Sequence, residues 1–302
     1  MLTSKQNHMV KVLVCLFLVY LSWGSGFIAI RFAVEHIPAF LMCGVRMTCA
    51  GLLLYLLTWL RGERTSLTRA DLKHSFVLAF FMVFIASGFL AKGQESMSSG
   101  TAAMILGAVP VWMVLGGWLF CKEARPSLLQ FVGLGCGFLG LTLLAINQTS
   151  SGSDSPWGIA FGLAAAMAWV VGSFYSKAHA SKTQLSVMRT SALLMFIGGL
   201  QSLFGALVTG EFSRFDLHSV TELSVLSLCY LITFGAIVAY TCYFWLLVHT
   251  RTVVAISYEY VNPVIGVFLG WWLADERVDA TIITACCLTV GSVFFVVSRH
   301  KD

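Results

Sequence analysis

Ten apolar stretches, each about as long as a bilayer core requires of a helix, follow one another along this chain. They run approximately Val12–Ala33, Ala39–Trp59, His74–Ala91, Ser99–Phe120, Ser127–Ile146, Trp157–Ser176, Leu185–Val208, Leu223–Leu247, Val253–Leu273 and Thr281–Val297. Lipid offers no hydrogen bonds to an open strand, so helices are expected throughout. Composition leaves little room for a soluble alternative. Of 302 residues 58% are hydrophobic and 11% charged, where a soluble domain carries about 25% charged residues. The expected fold class is an all-α integral membrane protein of ten transmembrane helices in the lipid bilayer. The first stretch reads as a signal anchor, being too long and too well followed by others for a cleaved signal peptide.

Orientation follows from Lys and Arg. With the N-terminus inside, the inner connections and tails hold Lys5, Lys11, Arg61, Arg64, Arg69, Lys73, Lys122, Arg125, Lys177, Lys182, Arg251, Arg299 and Lys301. The outer ones hold Lys92, Arg214 and Arg277. This bias predicts that both termini are cytoplasmic. The net charge of +5 has the same origin. The basic residues form no single patch, so nucleic acid is not an expected partner.

The chain also repeats itself. Pro110, Gly117, Trp118 and Glu123 recur as Pro263, Gly270, Trp271 and Glu276, at an offset of 153 in all four cases. The polar, Ser-rich segment 147–156 separates a first five-helix repeat (1–146) from a second (157–302). Five is odd, so the second unit enters the membrane upside down, giving two inverted five-helix repeats. Weaker echoes agree. Trp23, Gly26 and Arg31 match Trp169, Gly172 and Lys177 at an offset of 146, and Arg46 in the second span echoes Arg189 in the seventh.

Four segments carry a resemblance to a known family. They are WGSGFIAIRFAVE (Trp23–Glu35), GVRMTCAG (Gly44–Gly51), SSGTAAMILGAVP (Ser98–Pro110) and SYEYVNPVIGVFLG (Ser257–Gly270). The chain resembles a ten-helix EamA-type member of the drug/metabolite transporter superfamily, within it the YedA-like branch. That resemblance covers nearly the whole chain. It implies a transporter of the bacterial inner membrane that exports small organic solutes such as amino acids, related amines or amphipathic drugs. One departure stands out: the family usually has a small or apolar residue where this chain has Glu259.

Several residues could bind substrate or a coupling ion. Pro110 and Pro263 each lie some ten residues into a span. Each frees a carbonyl four residues back, at Leu106 and Glu259, and is a candidate hinge; a mere packing kink is the alternative. Glu259 breaks the repeat, since Leu106 is its mate. A carboxylate about 9 Å deep should face the protein interior. It could take a coupling proton or a substrate amine, or form a structural ion pair with Arg46 or Arg189. Arg46, about 10 Å from the outer face, could take a substrate carboxylate in a two-pronged hydrogen bond. Arg189 reads as structural. Among the aromatic residues, Trp59 and Trp157 suit interface belts. Trp23, Trp112, Trp169, Tyr240, Tyr243, Tyr258 and Tyr260 are candidates for contact with an amine through their ring faces, with Asn262 beside them.

The expected lining of a central cavity is the first, fourth, sixth and ninth spans, with the rest as scaffold. Gly133, Gly137 and Gly140 give the fifth span a small-residue face, either for a neighbouring helix or for a homodimer seam. The nine cysteines form no C-x-x-C pair and no Cys/His cluster, so neither a metal nor another cofactor is expected. No phosphate-binding loop is present for ATP, which leaves secondary active transport by alternating access, coupled to protons or to exchange. A passive channel is the alternative. A membrane-embedded enzyme is disfavoured, because His36, His74, His179, His218 and His249 fall at span ends or in loops and no H-E-x-x-H or G-x-S-x-G occurs.

Overall fold

A computed structural model describes residues 4–63, 66–97, 102, 105–107, 109–120, 125–148, 155–179, 184–274 and 280–297. Glu123, Glu276 and most of the Ser-rich connection lie outside them. Among the described residues the regular structure is all helix, and the ten apolar stretches each appear as helix. The first comprises Ser4–Gly24 and Gly26–Val34, the second Ala39–Leu60, and the third Arg69–Ala79, Phe80–Phe89 and Leu90–Gln94. The fourth includes Val109–Phe120, the fifth is Leu128–Gln148 and the sixth Pro156–His179. The seventh is Val187–Val208, the eighth Glu222–Tyr230, Leu231–Val238 and Ala239–His249, and the tenth Ala280–Val297. Among the described residues, six of these are long and apolar enough to cross a membrane on their own. Large apolar side chains such as Phe17, Phe204 and Leu207 project outward, as suits a bundle solvated by lipid. Trp59 and Trp157 are exposed at span ends.

The ninth span differs from the expectation. It is broken, with one turn at Thr252–Ala255 and a helix at Tyr258–Ala274. The interruption falls at Ile256–Ser257, so Pro263 lies five residues inside the following helix. Around the break the amides reach back three residues, as in Ser257 N–H to Val254 O and Tyr260 N–H to Ser257 O. That tighter turn suits a connection, not a continuous α-helix.

Hydroxyl residues cap the polar starts of three spans. Thr68 and Asp71 form a reciprocal capping box on the third, Ser186 accepts from Arg189 N–H on the seventh, and Thr221 from Ser224 N–H on the eighth. Such caps satisfy amides that the helix leaves unpaired.

Contacts cross between the halves in a matched way. The first span packs on the eighth and ninth, and the sixth packs on the third and fourth; the fifth and tenth also lie together. The second and seventh spans run antiparallel in the closest embrace. Gly44 faces Leu203, Thr48 faces Gly199, and Gly51 faces Phe196 and Ala192. Each of these two spans ends on a glycine of positive φ, Gly62 (82°) and Gly210 (69°), a conformation that side-chain-bearing residues resist. Each turn delivers a glutamate to the start of the opposite span. Glu211 accepts from Leu41 N–H at 2.9 Å, and Glu63 accepts from Ser186 Oγ at 2.6 Å. The pair is thus tied at both ends.

A Cβ at Gly51 would stand 2.7 Å from Phe196 Cα and 2.8 Å from Ala192 O. Both are backbone and cannot swing aside. Gly51→Ala is expected to force the two spans apart at a cost of about 1–3 kcal/mol, read as a lowered melting temperature of the purified protein in detergent. An unchanged melting temperature would mean that this contact is not tight.

Part of the small-residue face of the fifth span packs within the chain. Gly133, Gly137 and Gly140 are buried, and Gly137 lies against Tyr260 and Ser292.

Candidate functional site

A cavity of about 690 Å³, mouth included, opens between the spans. Its wall is formed by Trp23, Phe27 and Ile30 of the first span, Ser87 and Leu90 of the third, and Trp169 of the sixth. The eighth contributes Leu231, Gly235 and Tyr240, and the ninth Tyr258, Glu259 and Asn262. Arg46 enters from the second and Leu106 from the fourth. The second, third and eighth spans therefore line the cavity as well. They were expected to be scaffold, but each places residues in the cavity wall. These residues lie in the half of the bundle nearer the connections 35–38 and 209–221.

A basic and an acidic side chain are both present. Arg46 and Glu259 are each 5% exposed and line the same cavity. The expected alternative, a structural ion pair of Glu259 with Arg46 or Arg189, is not formed. Arg46 Nη2 donates instead to the carbonyl of Gly235 at 2.8 Å, and its buried Nε has no partner. Arg189 donates to the Glu63 carbonyl and to Tyr55 Oη, with its guanidinium 5.2 Å from the Tyr55 ring centre. It is a bracket between the second and seventh spans, as its structural reading implied. Burying charges without a mutual pair is costly; Glu259 has the neighbouring Tyr258 side chain as a hydrogen-bond partner, and Arg46 the Gly235 carbonyl. Asn262, 2% exposed, has an unpaired buried Oδ1. It stands three residues after Glu259, on the same helix face.

Aromatic rings close the cavity's deep end. Trp23 stacks edge-on against Tyr258 (4.6 Å between ring centres), Trp169 (5.2 Å) and Tyr240 (5.6 Å). Tyr243 packs beneath Trp23 and Trp169, its hydroxyl bonded to Ser173 at 2.7 Å. Beyond this floor, Tyr20 bonds Ser257 at 2.6 Å and Lys177 Nζ donates to Thr252 Oγ1 at 2.6 Å. These bonds join the first and sixth spans to the ninth on the far side of the floor.

Two expected site residues point elsewhere. Trp112 is 48% exposed, on the outer surface of the fourth span. Tyr260 is fully buried but packs on Gly137 of the fifth span, because it follows Glu259 by one residue, about 100° around the helix. Pro110 is buried in the fourth span, outside the cavity wall. Arg31 is exposed. Among the described residues no group of three His, Cys, Asp or Glu could hold a metal.

Other wall residues were not anticipated from the sequence. The third and eighth spans both widen into π-helix, at Phe80–Phe89 and Leu231–Val238. Such turns often mark functional positions. Ser87 and Tyr240 stand 153 residues apart, the offset of the sequence repeat, and bond to each other at 2.7 Å. Met82 and Gly235 have the same offset, and both carbonyls accept side-chain donors: Tyr240 Oη at 3.1 Å in one case, Trp23 Nε1 at 3.1 Å and Arg46 in the other. Serine matched to tyrosine and methionine to glycine leave no trace in a residue-by-residue comparison. The constant offset was the one available signal.

Comparison with known proteins adds a family and a fold. The model of the EamA-like transporter family matches residues 10–146 and again 156–298. The chain is 31% identical over 285 residues to the uncharacterized inner membrane transporter YedA of Escherichia coli, covering 93% of this chain and 88% of that one. It is 26% identical to the protein PagO of Salmonella typhimurium, over 96% of this chain and 94% of its relative. With the uncharacterized transporter YoaV of Bacillus subtilis it shares 23% identity over 97% of this chain and all of that one. One crystal structure superposes with a TM-score of 0.74 over 94% of this chain and 96% of its own, at 16% identity, so the fold is shared.

Proposed function

The chain belongs to the EamA-like transporter family, and from that premise we propose that it is a secondary active exporter of small amines and amino acids, working by alternating access in the inner (plasma) membrane. One observation carries the substrate class. A buried carboxylate, Glu259, and a buried guanidinium, Arg46, line one aromatic cavity without pairing. An ammonium group suits the first, and the faces of Trp23, Trp169 and Tyr258 add cation–π attraction. A carboxylate suits the second. The membrane location is supported by the description of the relative YedA as an inner membrane transporter.

In this reading both termini are cytoplasmic, as the distribution of Lys and Arg favours. The cavity then opens outward, and the aromatic floor with the Tyr20–Ser257 and Lys177–Thr252 bonds closes the inner side. Inverted repeats supply the opposite state, in which the two halves rock about the central site. Energy comes from protons or from exchange of one solute for another.

The test is transport in proteoliposomes, with currents on a solid-supported membrane and counterflow of labelled phenylalanine and phenethylamine. Saturable flux with counterflow is the expected result. Flux that rises linearly with concentration and lacks counterflow would make the protein a channel.

A further inference from the structure

We propose that the π-helical turn of the eighth span is the device that holds Arg46 in the cavity wall, with Gly235 as its positioning residue, so that the guanidinium meets a carboxylate on the substrate. The proposal rests on the reading of the cavity as a substrate site and goes beyond it in naming how its cationic pole is set.

The Gly235 carbonyl takes two donors from two other spans: Arg46 Nη2 of the second at 2.8 Å and Trp23 Nε1 of the first at 3.1 Å. A carbonyl oxygen has two lone pairs, and both are engaged by side chains of the wall. A regular α-helix directs its carbonyls along its own axis. The wider turn at Leu231–Val238 relaxes that alignment and lets one of them accept sideways. Arg46 is permanently charged, is 5% exposed, and retains an unpartnered buried Nε. One side of the guanidinium is therefore fixed to the π turn, and the unpaired Nε leaves a donor for a planar oxyanion.

The absence of a side chain at Gly235 is part of the device. A Cβ there would stand 3.1 Å from Arg46 Nη2 and 3.2 Å from Leu231 Cδ2. Alanine thus competes with the guanidinium for its seat. The duplicated turn in the third span makes the contrast. There Met82 occupies the position of Gly235, and its carbonyl accepts from the uncharged Tyr240 hydroxyl, itself bonded to Ser87. The same backbone feature holds a phenol in one half and a cation in the other. That difference gives the cavity a direction that the repeat alone would not.

The experiment uses the full chain in lipid nanodiscs and calorimetric binding of two probes, phenylalanine and phenethylamine, which differ only by the carboxylate. In Gly235→Ala the affinity for phenylalanine is expected to fall about 10- to 100-fold, the worth of hydrogen bonds to a charged group, while that for phenethylamine is unchanged. Arg46→Gln, which leaves the eighth span intact, should give the same selective loss, and the double variant no further loss. Equal losses for both probes, no loss, or additive losses would overturn the proposal. If the wild-type protein binds neither probe, the substrate class proposed above fails. The positioning claim is then read from the Trp23 indole N–H resonance and from phenylglyoxal modification of Arg46. Both should change in Gly235→Ala, and an unchanged pair would overturn it.

Discussion

Glu259→Gln is expected to remove amine transport while leaving the protein folded. Glutamine keeps the size and one acceptor of the carboxyl but has no charge. A substrate ammonium that leaves water for this cavity then loses its charge-assisted hydrogen bond, which is worth about 1.5–3 kcal/mol. At about 1.4 kcal/mol per tenfold, the apparent affinity for phenethylamine falls about 10- to 100-fold, and flux at low substrate concentration falls with it. Folding should survive, because no arginine relies on this carboxylate: Arg46 is held by Gly235 and Arg189 by Glu63 and Tyr55. The assay is initial uptake into proteoliposomes, with the melting temperature as the control. Wild-type transport and an unaltered response to pH in the variant would return Glu259 to a structural role.

The second large effect concerns the closed side of the bundle. Cys15 of the first span and Cys242 of the eighth are unpaired as a disulfide, yet their side chains are in hydrogen-bond contact. They come from different halves of the chain and lie beyond the aromatic floor. If the halves part there in each cycle, a covalent bond between these sulfurs must stop the cycle. Mild oxidation is therefore expected to reduce counterflow to background, and dithiothreitol to restore it. Cys15→Ser should transport normally and resist the oxidant. A cross-linked protein, verified by mass spectrometry, that still exchanges substrate would show that the first and eighth spans do not separate.

The ten apolar stretches appear as helices, six of them long and apolar enough to cross a membrane among the described residues, because hydropathy is nearly a one-dimensional property. A run of apolar residues between charges forms a membrane helix whatever its neighbours are. The ninth span shows where that reasoning ends. Ile256 and Ser257 are apolar or small enough to continue a helix, and the hydropathy profile passes smoothly over them. The chain breaks there because Ser257 bonds Tyr20 on the first span and the carbonyl of Val254. Pro263, the candidate hinge, sits within the helix that follows this break, five residues after its start. Trp112 was chosen because its span carries the duplicated motif, but membership of a span does not fix the face a residue occupies. In water, periodicity would have told inner face from outer. In lipid both faces are apolar, and the outward Trp112 looks like the inward Trp169.

What the sequence alone determined was the ten apolar spans, their duplication, the resemblance to the family, and the few charged residues that a membrane interior would not tolerate without a purpose. Each of these is a property of composition, spacing or the cost of burying charge. Which side chains meet was decided only by the tertiary structure. The π turns in the third and eighth spans shift the helical register by about 100° for each added residue, and no residue pattern announces them. That shift, with the antiparallel embrace of the second and seventh spans, is what brings Gly235 to Arg46, Tyr240 to Ser87, and Glu259 into the same cavity as the cation it does not pair with.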